Sequence, residues 1–386
     1  MFRRFIVPSL WEIATTAAAS FTGAWLWRIH TPLPTVILYY GLWFGMMTGI
    51  FGLGTVVRKA IADHVLQVIG LSMAIAYLAT FSALGSTSRF WVWILGVLTG
   101  LASGFYWLAL YIRAARTVAK SERTAYTAWL GVVETASAVV VPPLAGVIVT
   151  FLPGILGYRL IFLVASLLVA LALAITLQDG ADAVSPKPPI TKDIPHSSWA
   201  TLLRNMAVLG LRDGIMFFVP GLYLFMKTGS PVLLGEYLAV QAAVQSMAFW
   251  AYERWPWHPK WALAASLAGS AALLGWGPIP GVFALGVFSG AAYPAFKVPL
   301  ESRALAVISE MGEGLTHTIR RTSQKELTLN GGRLAGFVAL WLCTLIVRRP
   351  VFIVSDLLVV WPILAVVLML GVITIKRQTM EEHSDR

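Results

Sequence analysis

The residues most able to do chemistry in this chain are ionisable side chains embedded in apolar surroundings. Glu12, Glu134, Arg212, Asp213, Lys297, Glu301 and Arg333 each fall within or at the edge of a long hydrophobic run. A charge in such a place costs several kcal/mol unless it is paired or hydrated, which marks these positions as functional candidates. Glu134 lies about two turns inside its run, among Gly131, Thr135, Ala136 and Ser137, so its carboxylate cannot easily reach the surface. A carboxylate in a poorly hydrated pocket can load and release a proton as its surroundings change, which makes Glu134 the first proton-coupling candidate and Glu12 the second. The competing reading pairs each acid with a base such as Arg113 or Arg212. Arg113, Arg212, Asp213, Glu301 and Arg333 can form ion pairs that hold in one state and separate in another, the chemistry of a gate on the cytoplasmic side. Fixed pairing or snorkelling to the interface is the structural alternative.

The elements that position these residues are set by composition. Of the 386 residues, 58% are hydrophobic and only 12% charged, and mean hydropathy is +0.76; a water-soluble surface cannot be assembled from so few charges. Runs such as Val65 to Leu84 and Leu160 to Leu177 carry no charge at all. A bilayer core of about 30 Å needs roughly 20 residues of helix, because the backbone must satisfy its own hydrogen bonds there. The pattern predicts an all-α polytopic membrane protein with about twelve such spans. Six are expected near Val7 to Arg28, Thr35 to Val57, Val65 to Leu84, Phe90 to Ile112, Tyr126 to Phe151 and Tyr158 to Leu177. Six more are expected near Met206 to Met226, Val232 to Tyr252, Trp261 to Trp276, Gly281 to Leu300, Thr328 to Val347 and Phe352 to Ile375. Arg3 and Arg4 before an apolar run imitate a secretory signal, but Glu12 interrupts it and the run continues through Trp27, which predicts a retained first span. The segment Ala304 to Leu327, with His317, Arg320, Arg321 and Lys325, reads as too polar to span and suited to the membrane surface.

Between the sixth and seventh runs, Gln178 to Leu203 contains Gly180, Pro186, Pro188, Pro189 and Pro195 among polar residues. That composition predicts a cytoplasmic linker, and hence an N-terminal bundle over 1–177, a linker over 178–205 and a C-terminal bundle over 206–386. With the N-terminus inside, the outer loops hold only Arg28, Arg89, Arg159, Lys227, Arg348 and Arg349. The inner loops hold many more bases, among them Arg58, Lys59, Arg113, Arg116, Lys120, Lys187 and Lys192. The bias places both termini in the cytoplasm and favours an even number of spans. The same scattering of bases between apolar segments excludes a nucleic-acid-binding stripe, although net charge is +11. The single cysteine, Cys343, cannot form an intrachain disulfide. Glu236 and Asp356 are expected near the outer surface. The chain lacks a Gly-x-x-x-x-Gly-Lys phosphate loop, a His-Glu-x-x-His pair and a Gly-x-Ser-x-Gly elbow, so no enzyme activity, cofactor or metal site is expected.

A short internal repeat relates the halves. Ser103-Gly104-Phe105-Tyr106 in the fourth run matches Ser289-Gly290-Ala291-Ala292-Tyr293 in the tenth, with Arg116 and Arg303 ten residues after each tyrosine. Gly96, Gly100 and Gly104 recur every four residues in the fourth run, a pattern for close helix packing. Val141-Pro142-Pro143-Leu144-Ala145-Gly146 resembles a Gly-Pro-x-x-Gly-Gly motif, with Val141 and Ala145 replacing two glycines. Gly54-Thr55-Val56-Val57-Arg58-Lys59 stands where a Gly-x-x-x-Asp-Arg signature would, with a base at the acidic position. Together with the six-plus-six arrangement, these features resemble the major facilitator superfamily over nearly the whole chain. Gly104-Phe105-Tyr106-Trp107-Leu108, Gly210-Leu211-Arg212-Asp213-Gly214, Thr228-Gly229-Ser230 and Leu329-Asn330-Gly331-Gly332-Arg333 are similar to a branch of bacterial permeases within it.

The resemblance implies two pseudo-symmetric six-helix bundles in the bacterial cytoplasmic membrane. It also implies that spans one, four, seven and ten line a central cavity, which puts Tyr106, Trp107, Phe217, Tyr293 and Lys297 near it. The expected function is secondary transport of a small organic solute by alternating access, coupled to protons or to another solute. A lipid or lipid-linked-sugar flippase and a non-transporting membrane sensor or scaffold are the alternatives. Expected partners are the solute or lipid substrate, protons and membrane lipids, with no nucleic acid; oligomeric state is left open.

Overall fold

In the computed structural model, residues 3–54, 56–57, 61–117, 123–178, 196–310, 315–346 and 366–374 are described. They form the helices α1 (Arg3–Arg28), α2 (Leu33–Gly52), α3 (Asp63–Leu84), α4 (Val92–Thr117), α5 (Arg123–Phe151), α6 (Leu156–Gln178), α7 (His196–Thr228), α8 (Pro231–Arg254), α9 (Pro259–Gly275), α10 (Pro278–Glu310) and α11 (Leu315–Ile346), with a further helical stretch at 366–374. Among the described residues there is no strand. Much of the expected linker and twelfth span, and the residues Arg58, Lys59, Lys120, Lys187, Lys192, Arg348, Arg349 and Asp356, lie outside them.

Local chemistry sets the helix ends. Pro32 caps α2 and Pro34 sits in its first turn, where a missing N–H costs nothing. Pro259 opens α9, where His258 Nδ1 accepts a hydrogen bond from the Lys260 backbone N–H at 3.2 Å. Gly85 ends α3 at φ 53° and Gly277 precedes α10 at φ 83°, in the left-handed region that disfavours any Cβ. Tryptophans cluster at these ends with wide exposure, Trp93, Trp255, Trp261 and Trp276 among them, as expected of side chains with an apolar body and a polar tip at a membrane interface.

Among the described residues, eight helical segments are long and apolar enough to cross a membrane. Leu163, Val164, Leu167 and Leu171 of α6 all face outward, a surface suited to hydrocarbon. α9 has 17 residues, about 26 Å of helix, slightly short of the hydrocarbon thickness. The described residues of the polar segment 304–327 form the end of α10 and the start of α11. Pairing of its charges with acids on the same two helices permits this. α7 begins at His196, ten residues before the apolar run expected from Met206, and Arg212 lies at the midpoint of the helix.

By contacts the chain divides into two compact units, Met1–Lys187 with Thr228–Ala239, and Pro188–Lys227 with Val240–Arg386. In the first unit α1 packs on α5 and α6, α2 on α4, and α3 on α4 and α6. The glycine stripe of α4 is the means of the α2 contact: a Cβ on Gly96 would come within 2.8 Å of the Tyr39 carbonyl oxygen, and one on Gly100 would strike the Trp43 carbonyl. Across this contact Tyr39 and Thr99 hydrogen-bond at 3.0 Å, and Trp43 Nε1 donates to Ser103 Oγ at 3.2 Å. Reciprocal bonds between Ser82 and Arg159 (2.6 and 2.9 Å) tie α3 to α6. The start of α8 belongs to this unit, crossing α5 where Gly235 meets Pro142 and Gly146 meets Pro231. In the second unit α9 packs on α10, and α10 on α11.

Candidate functional site

The chemistry of the second unit starts from a backbone contact between α7 and α11. A methyl group on Gly210 would strike the Leu329 carbonyl, one on Gly332 the Ala207 carbonyl, and one on Gly214 would come within 2.8 Å of the Arg333 carbonyl oxygen. Gly-Leu-Arg-Asp-Gly and Asn-Gly-Gly-Arg are thus two halves of one interlock. Close approach of the helices forces Arg212, Asp213, Asn330 and Arg333 into the same small volume. Arg212 is 4% exposed; its Nη1 donates to Asp213 Oδ1 at 3.0 Å and its Nη2 to the Ser289 carbonyl of α10 at 3.3 Å. Tyr293, also on α10, donates its hydroxyl to Asp213 Oδ2 at 2.9 Å while its ring lies under the Arg212 guanidinium at 4.2 Å. Arg333 stands 3.6 Å from Asp213 Oδ2 and donates to Asn330 Oδ1 at 2.9 Å. Lys297, one turn beyond Tyr293, lies 5.3 Å from the Tyr293 ring and 5.9 Å from that of Phe249.

A second group of charges joins α10 to α11. Lys325 Nζ is 2.8 Å from Glu301 Oε2 and 3.2 Å from Glu326 Oε1. Trp199 Nε1 and Arg321 both donate to Gln324 Oε1 at 3.2 Å. These bonds give Arg321, Gln324, Lys325 and Glu326, in the polar first half of α11, partners on α7, α10 and α11 itself.

In the first unit Tyr106 of α4 is fully buried, with its ring stacked on Trp11 of α1 at 3.8 Å. Trp107 is half-buried beside Tyr106 and Tyr111. Next to Trp11 is Glu12, half-buried, and across the α1–α5 contact is Glu134, exposed, close enough for the two carboxylates to interact electrostatically. Phe5 and Trp129 meet edge-on at 5.5 Å on the same pair of helices. Among the described residues no base pairs with either acid. Arg113 donates instead to the buried Gln67 of α3 at 3.1 Å. Thus Arg212, Asp213, Tyr293, Lys297 and Arg333 come together, Glu12 and Glu134 come together, and Glu301 belongs to the Lys325 group. Phe217, one turn beyond Asp213 on α7, is 47% exposed.

The tyrosine repeat extends beyond the short sequence match. In each unit the tyrosine of the fourth helix lies against a side chain of the first, Trp11 under Tyr106 and Arg212 over Tyr293, and in each the following residue is an acid, Glu12 or Asp213. Trp11, Ser289, Phe249, Lys325, Glu326 and Asn330 were not foreseen as parts of these groups. The recurrence of an aromatic or basic residue followed by an acid, Trp11-Glu12 and Arg212-Asp213, was the available signal for the first. Nothing in the spacing identified the others.

No family model matches the chain. By sequence it is 22% identical over 357 residues to the uncharacterised protein YqgE of Bacillus subtilis (strain 168), covering 89% of this chain and 83% of that protein. It is 24% identical over 164 residues to an uncharacterised protein in the sodM 3' region of Geobacillus stearothermophilus, covering 42% and 77%. By structure it resembles a point mutant of the nucleoside transporter NupG (TM-score 0.69, 11% identity, 97% of this chain and 99% of that one). It also resembles a bacterial metal transporter (0.66, 18%, 97% and 98%) and the human organic anion transporter MFSD10 (0.63, 16%, 96% and 98%). Near-complete superposition at such low identity shows that this multi-pass membrane protein has the twelve-helix fold of the major facilitator superfamily.

Proposed function

We propose that the protein is a secondary transporter that moves a small organic solute by alternating access, with a proton as coupling ion. The carrying observation is the pair Glu12 and Glu134: two carboxylates within electrostatic reach on packed helices, with no base paired to either among the described residues. Two like charges so placed repel each other, and neutralising one of them relieves that repulsion. The transport activities named for the structural neighbours, for nucleosides, a metal and organic anions, support the class of function and differ among themselves in cargo. On this reading the moving bodies are the halves 1–177 and 206–386, joined by the linker 178–205, with both termini on the cytoplasmic face of the bacterial inner membrane.

The test uses proteoliposomes containing a trapped pH-sensitive dye, exposed in turn to nucleosides, sugars and organic acids. Solute-induced proton flux is expected from the wild type and is expected to be lost in Glu134→Gln and reduced in Glu12→Gln, with both variants still folded in the membrane. Undiminished flux in Glu134→Gln rejects the proton role.

A further inference from the structure

The link between α8 and α9 is Trp255-Pro256-Trp257-His258, and Pro259 opens the next helix. It contains no glycine, and its two prolines restrict the backbone. Side chains hold it further. The Trp257 ring meets that of the buried Tyr252 at 5.0 Å and a right angle, and His258 Nδ1 accepts from the Lys260 backbone N–H at 3.2 Å. On the outside of this stiff turn Trp250, Trp255 and Trp261 are 55%, 66% and 71% exposed, with the Trp250 and Trp255 rings nearly perpendicular at 6.3 Å. α8 is long and apolar enough to span a bilayer, so its end lies at the level of the lipid headgroups, where indoles meet both hydrocarbon and polar groups.

Two bases share the turn. Arg254, the last residue of α8, lays its guanidinium over the Trp250 ring at 4.1 Å and donates Nη1 to the Trp250 carbonyl at 3.5 Å. Lys260 stands exposed in the first turn of α9. Among the described residues no carboxylate pairs with either base, and Glu253, exposed beside Arg254, pairs with neither. Two cations against one anion, with His258 neutral, leave one positive charge, the complement of a phosphodiester. The first turn of α9 adds the positive end of its helix dipole.

We propose that the α8–α9 turn binds the headgroup of an anionic phospholipid, with Arg254 and Lys260 facing the phosphate and Trp250, Trp255 and Trp261 lying against the glycerol and upper acyl chains. A guanidinium already laid on an indole offers its planar fork to phosphate with little further ordering, and an ammonium adds a mobile point charge.

Full-length protein in detergent is titrated with dioleoyl phosphatidylglycerol or dioleoyl phosphatidylcholine, and bound lipid is counted by native mass spectrometry. Phosphatidylglycerol is expected to bind more tightly. Arg254→Gln and Lys260→Gln are each expected to weaken its apparent affinity about fivefold, the contribution of one base at a membrane surface. Trp250→Leu keeps an apolar side chain but removes the ring under Arg254, and is expected to weaken affinity about threefold. Arg89→Gln, which removes an exposed base lying over Phe90 at the α3–α4 turn, is expected to change nothing. Glycerol 3-phosphate at about tenfold excess over lipid is expected not to displace it, because the indoles contribute only when acyl chains are present. Equal binding of the two lipids, unchanged affinity in both Arg254→Gln and Lys260→Gln, or an equal loss in Arg89→Gln overturns the proposal. Displacement by glycerol 3-phosphate overturns the lipid assignment, and an unaffected Trp250→Leu overturns the ordered site in favour of diffuse charge attraction. The experiment uses no solute and no gradient, so its outcome is independent of the transport reading.

Discussion

Replacing Asp213 with Asn tests whether the central charge group determines the stability of the second unit. Asn has nearly the volume of Asp, so the change opens no cavity; it removes a carboxylate that faces Arg212 at 3.0 Å and Arg333 at 3.6 Å. The Arg212 side chain is only 5% exposed, and its guanidinium would be left buried beside two other bases. Breaking a buried ion pair from one side costs about 3–5 kcal/mol, because the partner charge stays in place without compensation. For a unit of this size that lowers the midpoint of thermal unfolding on the order of 10 °C. Glu12→Gln is the matched comparison. Glu12 has no base paired to it among the described residues and interacts with another acid, so its neutralisation is expected to leave the midpoint unchanged or raise it. Removing the opposing charge as well, in Arg212→Met with Asp213→Asn, is expected to recover part of the loss. The assay is apparent unfolding of purified protein in one detergent at one scan rate, since such transitions are commonly irreversible. If Asp213→Asn melts with the wild type while Glu12→Gln falls, the assignment of compensated and uncompensated acids is wrong.

Two further outcomes follow from packing. Gly332→Ala is expected to destabilise by about 1–3 kcal/mol or more, because its methyl group meets the Ala207 backbone, which can yield only if α7 and α11 separate. The neighbouring Gly331 has nothing within 4 Å, so Gly331→Ala is expected to stabilise by about 0.5–1 kcal/mol through helix propensity; paired melting curves check the contrast, and equal effects would remove the interlock. Trp11→Ala is expected to cost about 3–5 kcal/mol, since Trp11 is 2% exposed and its loss leaves a void against Tyr106. Melting of this variant within about a degree of the wild type would show that the stack contributes little.

Much of the architecture was legible because hydrocarbon permits few solutions. Runs without charge had to be helices, and both the apolar stretch Leu160 to Leu177 and the glycine spacing in α4 led directly to an observed helix and an observed helix contact. Helix ends were less legible. Arg320, Arg321 and Lys325 repel a bilayer when considered singly, and only the Lys325 contacts with Glu301 and Glu326 show why this segment continues a long helix.

Repeated crossing of a membrane, the unusual intramembrane charges and the motif shared by the two halves all follow from the order of residues alone. Periodicity and polarity report how each helix meets its solvent, and these are properties of one segment at a time. Which charges meet is a property of the folded chain. Asp213 accepts from Tyr293 across 80 residues of chain and also faces Arg333 on α11, while Glu12 faces Glu134. Such pairings depend on backbone approach between particular helices, set here by Gly210, Gly214 and Gly332. A glycine in a sequence does not say which neighbour will occupy the space it leaves.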